Sequence, residues 1–267
     1  MSIKSNKVSV CVLLYGHHTD LAKRCLGSIE AALPSPDLIQ DFRIGKNGVS
    51  ESTSEYVREW VGRVHLKTRI PCITYAPFGN VLKYPTMRRM FFDDKNPLAD
   101  YTMWFDDDSY IDGGHNFWSD VVNIMKSFDM VGQHWYKGFI GRQRDWIKTQ
   151  KWAIYPEVEA SKVRFCTGGW WTIRSRILHE FDWPFKAIRH KGGDMILGEL
   201  FRQQGLRMGQ FCRGVRINAD AEGGHSKAAR RGYSANNGIE MEVGYNYAGN
   251  PLSEDHQKFE LWREIIK

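Results

Sequence analysis

Residues 101–110 read YTMWFDDDSY, and the fold turns on how that stretch is read. Tyr101, Met103, Trp104 and Phe105 belong in a core, whereas Asp106, Asp107 and Asp108 stand side by side and repel one another. A short apolar and aromatic run predicts a buried strand. Three carboxylates at its end cost free energy unless something positive sits among them. Side chains alternate along a strand, so Asp106 and Asp108 are expected on one side and Asp107 on the other. Two carboxylates on one side make a hard-oxygen site for Mg2+ or Mn2+, with the remaining positions left to diphosphate oxygens and water. The alternative is a solvated turn with an Asp capping the next segment, which accounts for one Asp more readily than for three.

Towards the N-terminus, VSVCVLLYG (8–16) is short, β-branched and apolar and predicts a fully buried strand. DLAKRCLGSIEAAL (20–33) follows as a helix with Leu21, Cys25, Ile29 and Ala32 on one face, stopped by Pro34 and Pro36. DFRIGKNG (41–48) predicts a second strand ending in an Asn-Gly turn, STSEYVREWV (52–61) a second helix, CITYAP (72–77) a third strand and NVLKYPTMRRMFFDD (80–94) a helix from about Pro85. Strand and helix alternate through the first ~110 residues, which predicts an α/β domain with a doubly wound, mostly parallel sheet and helices on both faces. Ligands of such sheets lie outside the carboxyl ends of the strands. The Asp triplet, Gly16-His17 and Asn47-Gly48 all fall on that edge. No G-x-G-x-x-G follows the first strand and no G-x-x-x-x-G-K-[ST] occurs, which argues against a dehydrogenase or a P-loop enzyme.

Beyond the triplet, FWSDVVNIMKSFDMVG (117–132) predicts a helix and a short strand, and VRFCTGGWWTIRSRIL (163–178) a strand, a Gly-Gly turn, a second strand and a helix start. Residues 133–156 interleave Trp135, Tyr136, Phe139, Trp146, Trp152 and Tyr155 with Lys137, Arg142, Arg144, Lys148 and Lys151. This pattern suits bases stacked along a phosphate backbone, sugar rings packed on Trp faces, or a folded flap whose aromatics are core. GGDMILGELFRQQGLRM (192–208) predicts an amphipathic helix capped near Asp194 and ended by Gly205. A carboxylate there is accounted for by the helix dipole alone, or it serves as a general base. NADAEGGHSKAARRGYSANNG (218–238) predicts a mobile loop, in which His225 as a metal ligand with Arg230 and Arg231 would clamp a diphosphate.

The 267 residues are 42% hydrophobic, 25% charged and 13% aromatic, with ten Trp and a net charge of +6. These values fit one globular domain, and the basic balance fits an anionic partner or simple solubility. The five cysteines, Cys11, Cys25, Cys72, Cys166 and Cys212, include no C-x-x-C pair, so neither a disulfide framework nor a zinc site is expected. No apolar run approaches the ~18 residues of a membrane span, and no leader with a cleavage site is evident. The expectation is a reduced, cytoplasmic protein, in the host cytoplasm if viral, with no obvious protein partner.

In the order of these motifs the chain resembles the GT-A fold glycosyltransferases, particularly their family 2 group, over roughly residues 8–208. VCVLLYGH resembles the first strand, which meets the nucleotide base and places Tyr15 and Gly16 with the donor. IGKNGVS resembles the second-strand turn, with Asn47 where that family touches uracil or ribose. MWFDDDS resembles the D-x-D motif: Asp106 and Asp108 as metal ligands, Asp106 and Asp107 beside the donor. TGGWWTIRSRIL resembles the strand that holds the sugars, here Gly168, Gly169 and Trp170. GGDMILGELFRQQG resembles the acidic motif whose second position, here Asp194, is the catalytic base. The first position is commonly Glu and here is Gly193, and no Q-x-x-R-W motif is evident, HSKAARRGY standing in its place. The resemblance implies a single domain, with residues 1–110 for the donor, 111–220 for the acceptor and 221–267 as a lid. It implies inverting transfer from a nucleotide-diphosphate sugar, UDP-sugars favoured, with Mn2+ or Mg2+ as cofactor. For the acceptor, a hydroxymethylated pyrimidine in DNA, as in phage-type DNA glycosyltransferases, stands against a free or lipid-linked saccharide. A metal-binding module without turnover is the remaining alternative.

Overall fold

The computed structural model describes residues 7–77, 81–113, 116–138, 141–155, 162–186, 188 and 192–217. His225, Arg230 and Arg231 lie outside the described residues.

A seven-stranded sheet organises the molecule. Its strands are β1 (Val8–Tyr15), β2 (Ile39–Asn47), β3 (Cys72–Tyr75), β4 (Tyr101–Asp106), β6 (Met130–Lys137), β7 (Val163–Arg174) and β8 (Met208–Gln210), in the order β3-β2-β1-β4-β7-β6-β8. A two-stranded sheet pairs β5 (Tyr110–Ile111) with β9 (Val215–Arg216). β3, β2, β1 and β4 run parallel, β7 is antiparallel to both β4 and β6, and β8 is parallel to β6. The chain leaves β1 towards β2 on one side and β4 lies on its other side, so the β1/β4 boundary is the topological switch point.

The apolar runs reflect a sheet covered on both faces. Val8, Val10, Val12 and Leu14 pack with α1 (Thr19–Ala31), α2 (Glu51–Thr68) and α4 (Phe117–Met125), through Leu26, Trp60 and Val121 among others. Cys11 and Leu13, one residue out of step, pack on the opposite face with α3 (Lys83–Phe91), α5 (Gly141–Lys148), α6 (Ser175–Glu180) and α7 (Gly193–Gln203). Across β4 and β7 the directly opposed Trp104 and Trp171 stack at 5.9 Å, a pairing worth about 0.5–1.5 kcal/mol beyond the area it buries. All five cysteines are free, with Cys11 and Cys166 buried as expected. Among the described residues no helix is long and apolar enough to cross a membrane.

Two local expectations are corrected. Gly168-Gly169 does not turn the chain, because β7 is one strand flanked by partners on both edges. Gly132 pairs with Trp171 and His134 with Cys166, so residues 167–170 bulge opposite Gln133 alone. Retaining both ladders outweighs the turn tendency of the glycines, which instead sit in the bulge. The alternation expected of the Asp triplet also fails. β4 ends at Asp106, and the Ser109 N–H donates to the Asp106 carbonyl at 3.0 Å. Asp107 and Asp108 therefore belong to a turn, where the period of two does not apply.

Candidate active site

The carboxyl ends of β1, β2 and β4 lie side by side, with Tyr15 opposite Asn47 and Leu13 opposite Asp106. Each acid of the triplet has its own environment. The Asp106 carboxylate accepts from the Lys83 ammonium at 2.6 Å and from Trp104 Nε1 at 3.0 Å. Asp107 is buried, and its Oδ2 accepts the Tyr15 N–H at 3.0 Å, tying the turn to the end of β1. Asp108 is also buried, with the Ser109 hydroxyl 3.5 Å from its Oδ1. Their combined field reaches α1. Burial is the main cause, and Asp107, Asp108 and Asp106 add to it, in lifting the Cys25 thiol well above its usual range.

Lys83 supplies the positive charge that the triplet demands, and the motif reading missed it. Its Nζ also donates to the Gly168 carbonyl at 2.8 Å and lies 5.6 Å from the centre of the Trp104 ring. A sequence signal existed. Lys83 opens α3, and a cation in the first turn of a helix opposes the dipole unless a local anion holds it there. Leu82 before it adopts φ 72° and ψ 173°, a region otherwise almost confined to glycine, and such strain clusters at functional sites.

The bulge brings the fourth component. A Cβ on Gly168 would lie 2.9 Å from Lys83 Nζ and 3.7 Å from Asp194 Oδ2, so Gly168 separates the ammonium from the Asp194 carboxylate. Burial raises the Asp194 carboxyl above the ordinary range, Lys83 opposes the rise and Asp106 adds to it. Asp106 is raised likewise by burial, against the pull of Lys83. Asp194 is not the helix cap as expected. Gly192 holds that position in the left-handed region, and Asp194 lies in the first turn with its Oδ1 accepting the Met195 N–H at 3.0 Å. Tyr84 fixes this end of α7: its hydroxyl accepts the Asp194 N–H at 3.0 Å, and its ring closes over Gly193, where a Cβ would meet Tyr84 Cζ at 2.3 Å. The first turn of α3 thus holds Asp106 through Lys83 and α7 through Tyr84.

The other expected donor residues fall as follows. Gly16 has φ +60°, and its carbonyl accepts the Ser50 N–H at 3.1 Å. Asn47 is buried and its Oδ1 accepts the Val81 N–H at 2.7 Å, which orders the approach to α3. Gly169 lies beside Gly168 in the bulge. Trp170 corrects the expectation of a side chain on the donor: its indole is fully buried among Phe105, Phe117 and Phe211. The bulge turns that side chain into the core; Gly169 is buried as well, and Gly168 keeps partial exposure at the site. Chemically, the edge brings together the Asp106 carboxylate, the Lys83 ammonium that it holds and the separate Asp194 carboxylate of raised basicity.

No family model matches the chain, and no curated protein matches it in sequence. Solved structures match it in fold. GalNAc-T7 with UDP, GalNAc and Mn2+ is 10% identical with a TM-score of 0.55, covering 97% of this chain and 55% of its own. The mannosyltransferase PcManGT of Pyrobaculum calidifontis, with GDP-Man and Mn2+, is 12% identical with a TM-score of 0.53, covering 96% and 68%. TarS of S. aureus is 12% identical with a TM-score of 0.50, covering 96% and 69%. The chain thus spans little more than half the length of GalNAc-T7. At these identities the likeness is one of fold: a mixed, mostly parallel seven-stranded α/β sheet matching GT-A glycosyltransferase structures.

Proposed function

We propose that the chain is an inverting glycosyltransferase that moves a sugar from a nucleotide-diphosphate sugar to an acceptor hydroxyl, the acceptor being a hydroxymethylated pyrimidine in DNA. The observation that carries the transferase reading is the meeting of Asp106, Lys83, Gly168 and Asp194 at the carboxyl edge of the switch-point strands. Two structures of like fold hold UDP with GalNAc, or GDP-Man, together with Mn2+, which supports such a donor and such an ion here. The basic net charge supports an anionic acceptor.

Among the described residues no three acids, histidines or cysteines gather as a ready-made metal centre; the oxygen ligands of this proposal are Asp106 and Asp108, and Mg2+ or Mn2+ is often held by one or two carboxylates with substrate phosphates filling its shell. When bound, the ion would neutralise charge gathering on the departing diphosphate. Asp194 accepts the proton of the attacking hydroxyl, its raised basicity bringing it nearer the working pH. Lys83 holds Asp106 in place and presents an ammonium beside the leaving oxygens. Tyr84 fixes the entry of α7, so that the base keeps its angle to the sugar. Residues 1–110 serve the donor and 111–220 the acceptor. His225, Arg230 and Arg231 belong to the proposal as a further ion ligand and two diphosphate contacts.

The test is release of nucleoside diphosphate from a panel of labelled nucleotide-sugars, with and without Mn2+, in the presence of modified DNA or of oligosaccharides. Release and sugar incorporation with modified DNA is the expected result. Incorporation into the oligosaccharide alone would reassign the acceptor, and no consumption of any donor would remove the enzymatic reading.

A further inference from the structure

β6 and β7 outrun the rest of the sheet at the edge that carries the site. β6 runs parallel to β4, so its end at Lys137 lies on the carboxyl side of the sheet, and β8 pairs with it only over Met130–Gly132. Past that point the last β8 contact is the His134 N–H donating to Gln210 Oε1 at 2.7 Å. Trp135, Tyr136 and Lys137 then pair with Phe165, Arg164 and Val163 as a two-stranded ribbon. Its composition is one-sided. Lys137, Lys162 and Arg164 are exposed, and no acid occurs in 134–138 or 162–167. Two large aromatics are also in solvent, Trp135 at 57% and Tyr136 at 58%. Directly opposed residues of an antiparallel pair share a face, so Tyr136 and Arg164 stand together. Val163 and Phe165 on the other face are buried against the α7 side of the core, which fixes which side of the ribbon looks outward. Arg164 makes its charge felt locally: burial, then Arg164, lowers the basicity of His134.

Exposed aromatics cost solvation and exposed like charges repel, so this ribbon is matched to an occupant that is anionic and has flat faces. We infer that the β6–β7 ribbon is a nucleic-acid-binding arm, with Lys162 and Arg164 on phosphates and Tyr136 stacked on a base; Trp135 and Lys137, opposite Phe165 and Val163, belong to the other face. The inference deepens the acceptor reading given above and rests on it for its role in transfer. The spacing is compatible. Arg164 lies four residues from Gly168 along β7, no more than roughly 13 Å even at a strand's full rise, or at most about four duplex base steps of 3.4 Å. A nucleotide at the site and phosphates on the arm can thus belong to one strand.

The test is fluorescence anisotropy of labelled single-stranded and duplex DNA with the full chain, between 50 and 200 mM salt (about the range over which phosphate contacts are resolved). The combined Lys162→Ala, Arg164→Ala variant should bind at least about tenfold more weakly and lose about 1.5 from the slope of log K against log salt, at roughly 0.7–0.9 per phosphate contact. The Tyr136→Ala variant should lose about tenfold on single strands with its slope unchanged. The melting temperature should be as in the parent for both, which reports an intact fold. An unchanged slope and affinity in the double variant overturns the arm, as does loss of binding to an uncharged oligosaccharide in place of DNA. DNA binding that depends on the ribbon without any sugar transfer would sustain the arm and reject the transferase. Transfer to an oligosaccharide that is indifferent to salt and to all three substitutions would do the reverse.

Discussion

Lys83 Nζ is held between the Asp106 carboxylate and the Gly168 carbonyl at 2.6 and 2.8 Å, and the charge balance of the site depends on it. Replacing Lys83 by Met strands a largely buried carboxylate, so it should cost about 3 kcal/mol of stability in urea unfolding. Lys83→Arg should not restore transfer, since a planar guanidinium does not fit a seat shaped for a compact ammonium. Asp194→Asn should reduce transfer by about 10²–10⁴-fold while raising the melting temperature at neutral pH. The sign follows from burial, which raises the carboxyl in the folded state. Its contribution to stability is full below the unfolded value near pH 3.9 and is lost as pH rises through the raised folded value. The advantage of the Asn variant should therefore vanish in acid, as thermal melts against pH will show. For the same reason the acid limb of kcat/KM for the proposed transfer should lie above the ordinary carboxylate range. Asp106 and Asp194 were legible as single letters because acids at a strand end and a helix start are conspicuous. Lys83 was not, because its partner is 23 residues away and only the packing of α3 on the sheet brings them together.

At the level of elements, the site is an agreement between α3, α7 and the bulge in β7. Gly193→Ala tests the first contact. Its Cβ would meet the Tyr84 ring at 2.3 Å, so the start of α7 must shift. A displacement near 1 Å costs about 10²-fold in rate, while overpacking costs about 1–3 kcal/mol. Steady-state kinetics beside denaturant unfolding will separate the two. Gly168→Ala is the milder test, because the nearest atom is the end of a flexible lysine; it should lower kcat with little change in stability. The strands and helices of the first half were readable from period and punctuation, and helix α2 only proved longer than its apolar signal. β7 was misread because two adjacent glycines look like a turn, and only the ladders on both of its edges make them a bulge. The Trp170 indole was misplaced for the same reason, since the bulge decides which way it points.

For the whole molecule, the mixed, mostly parallel sheet is the one the sequence led one to expect, because alternating strands and helices leave few topologies. The second half was less legible, since aromatic and basic residues serve a core and a surface equally well. Trp152 and Ile147 are core, whereas Trp135 and Tyr136 are exposed. What ties the first half together is hidden at its centre. Arg43 is wholly buried in β2 and pairs with Asp41 at 2.9 Å. It also donates to the carbonyls of Met90, Asn96 and Pro97, which belong to the end of α3 and the crossover into β4. Arg43→Met should cost about 3–5 kcal/mol, because Asp41 stays buried without its partner, and the midpoint of a denaturant titration will report it. That guanidinium acts as a rivet through the layer beneath the site. Peeling the crossover away would break its bonds to the guanidinium together, so its amides should exchange with deuterium more slowly than those of the turn that follows β4. Opening near Asp106 should then fall to that turn, with the segment leading into the strand staying closed.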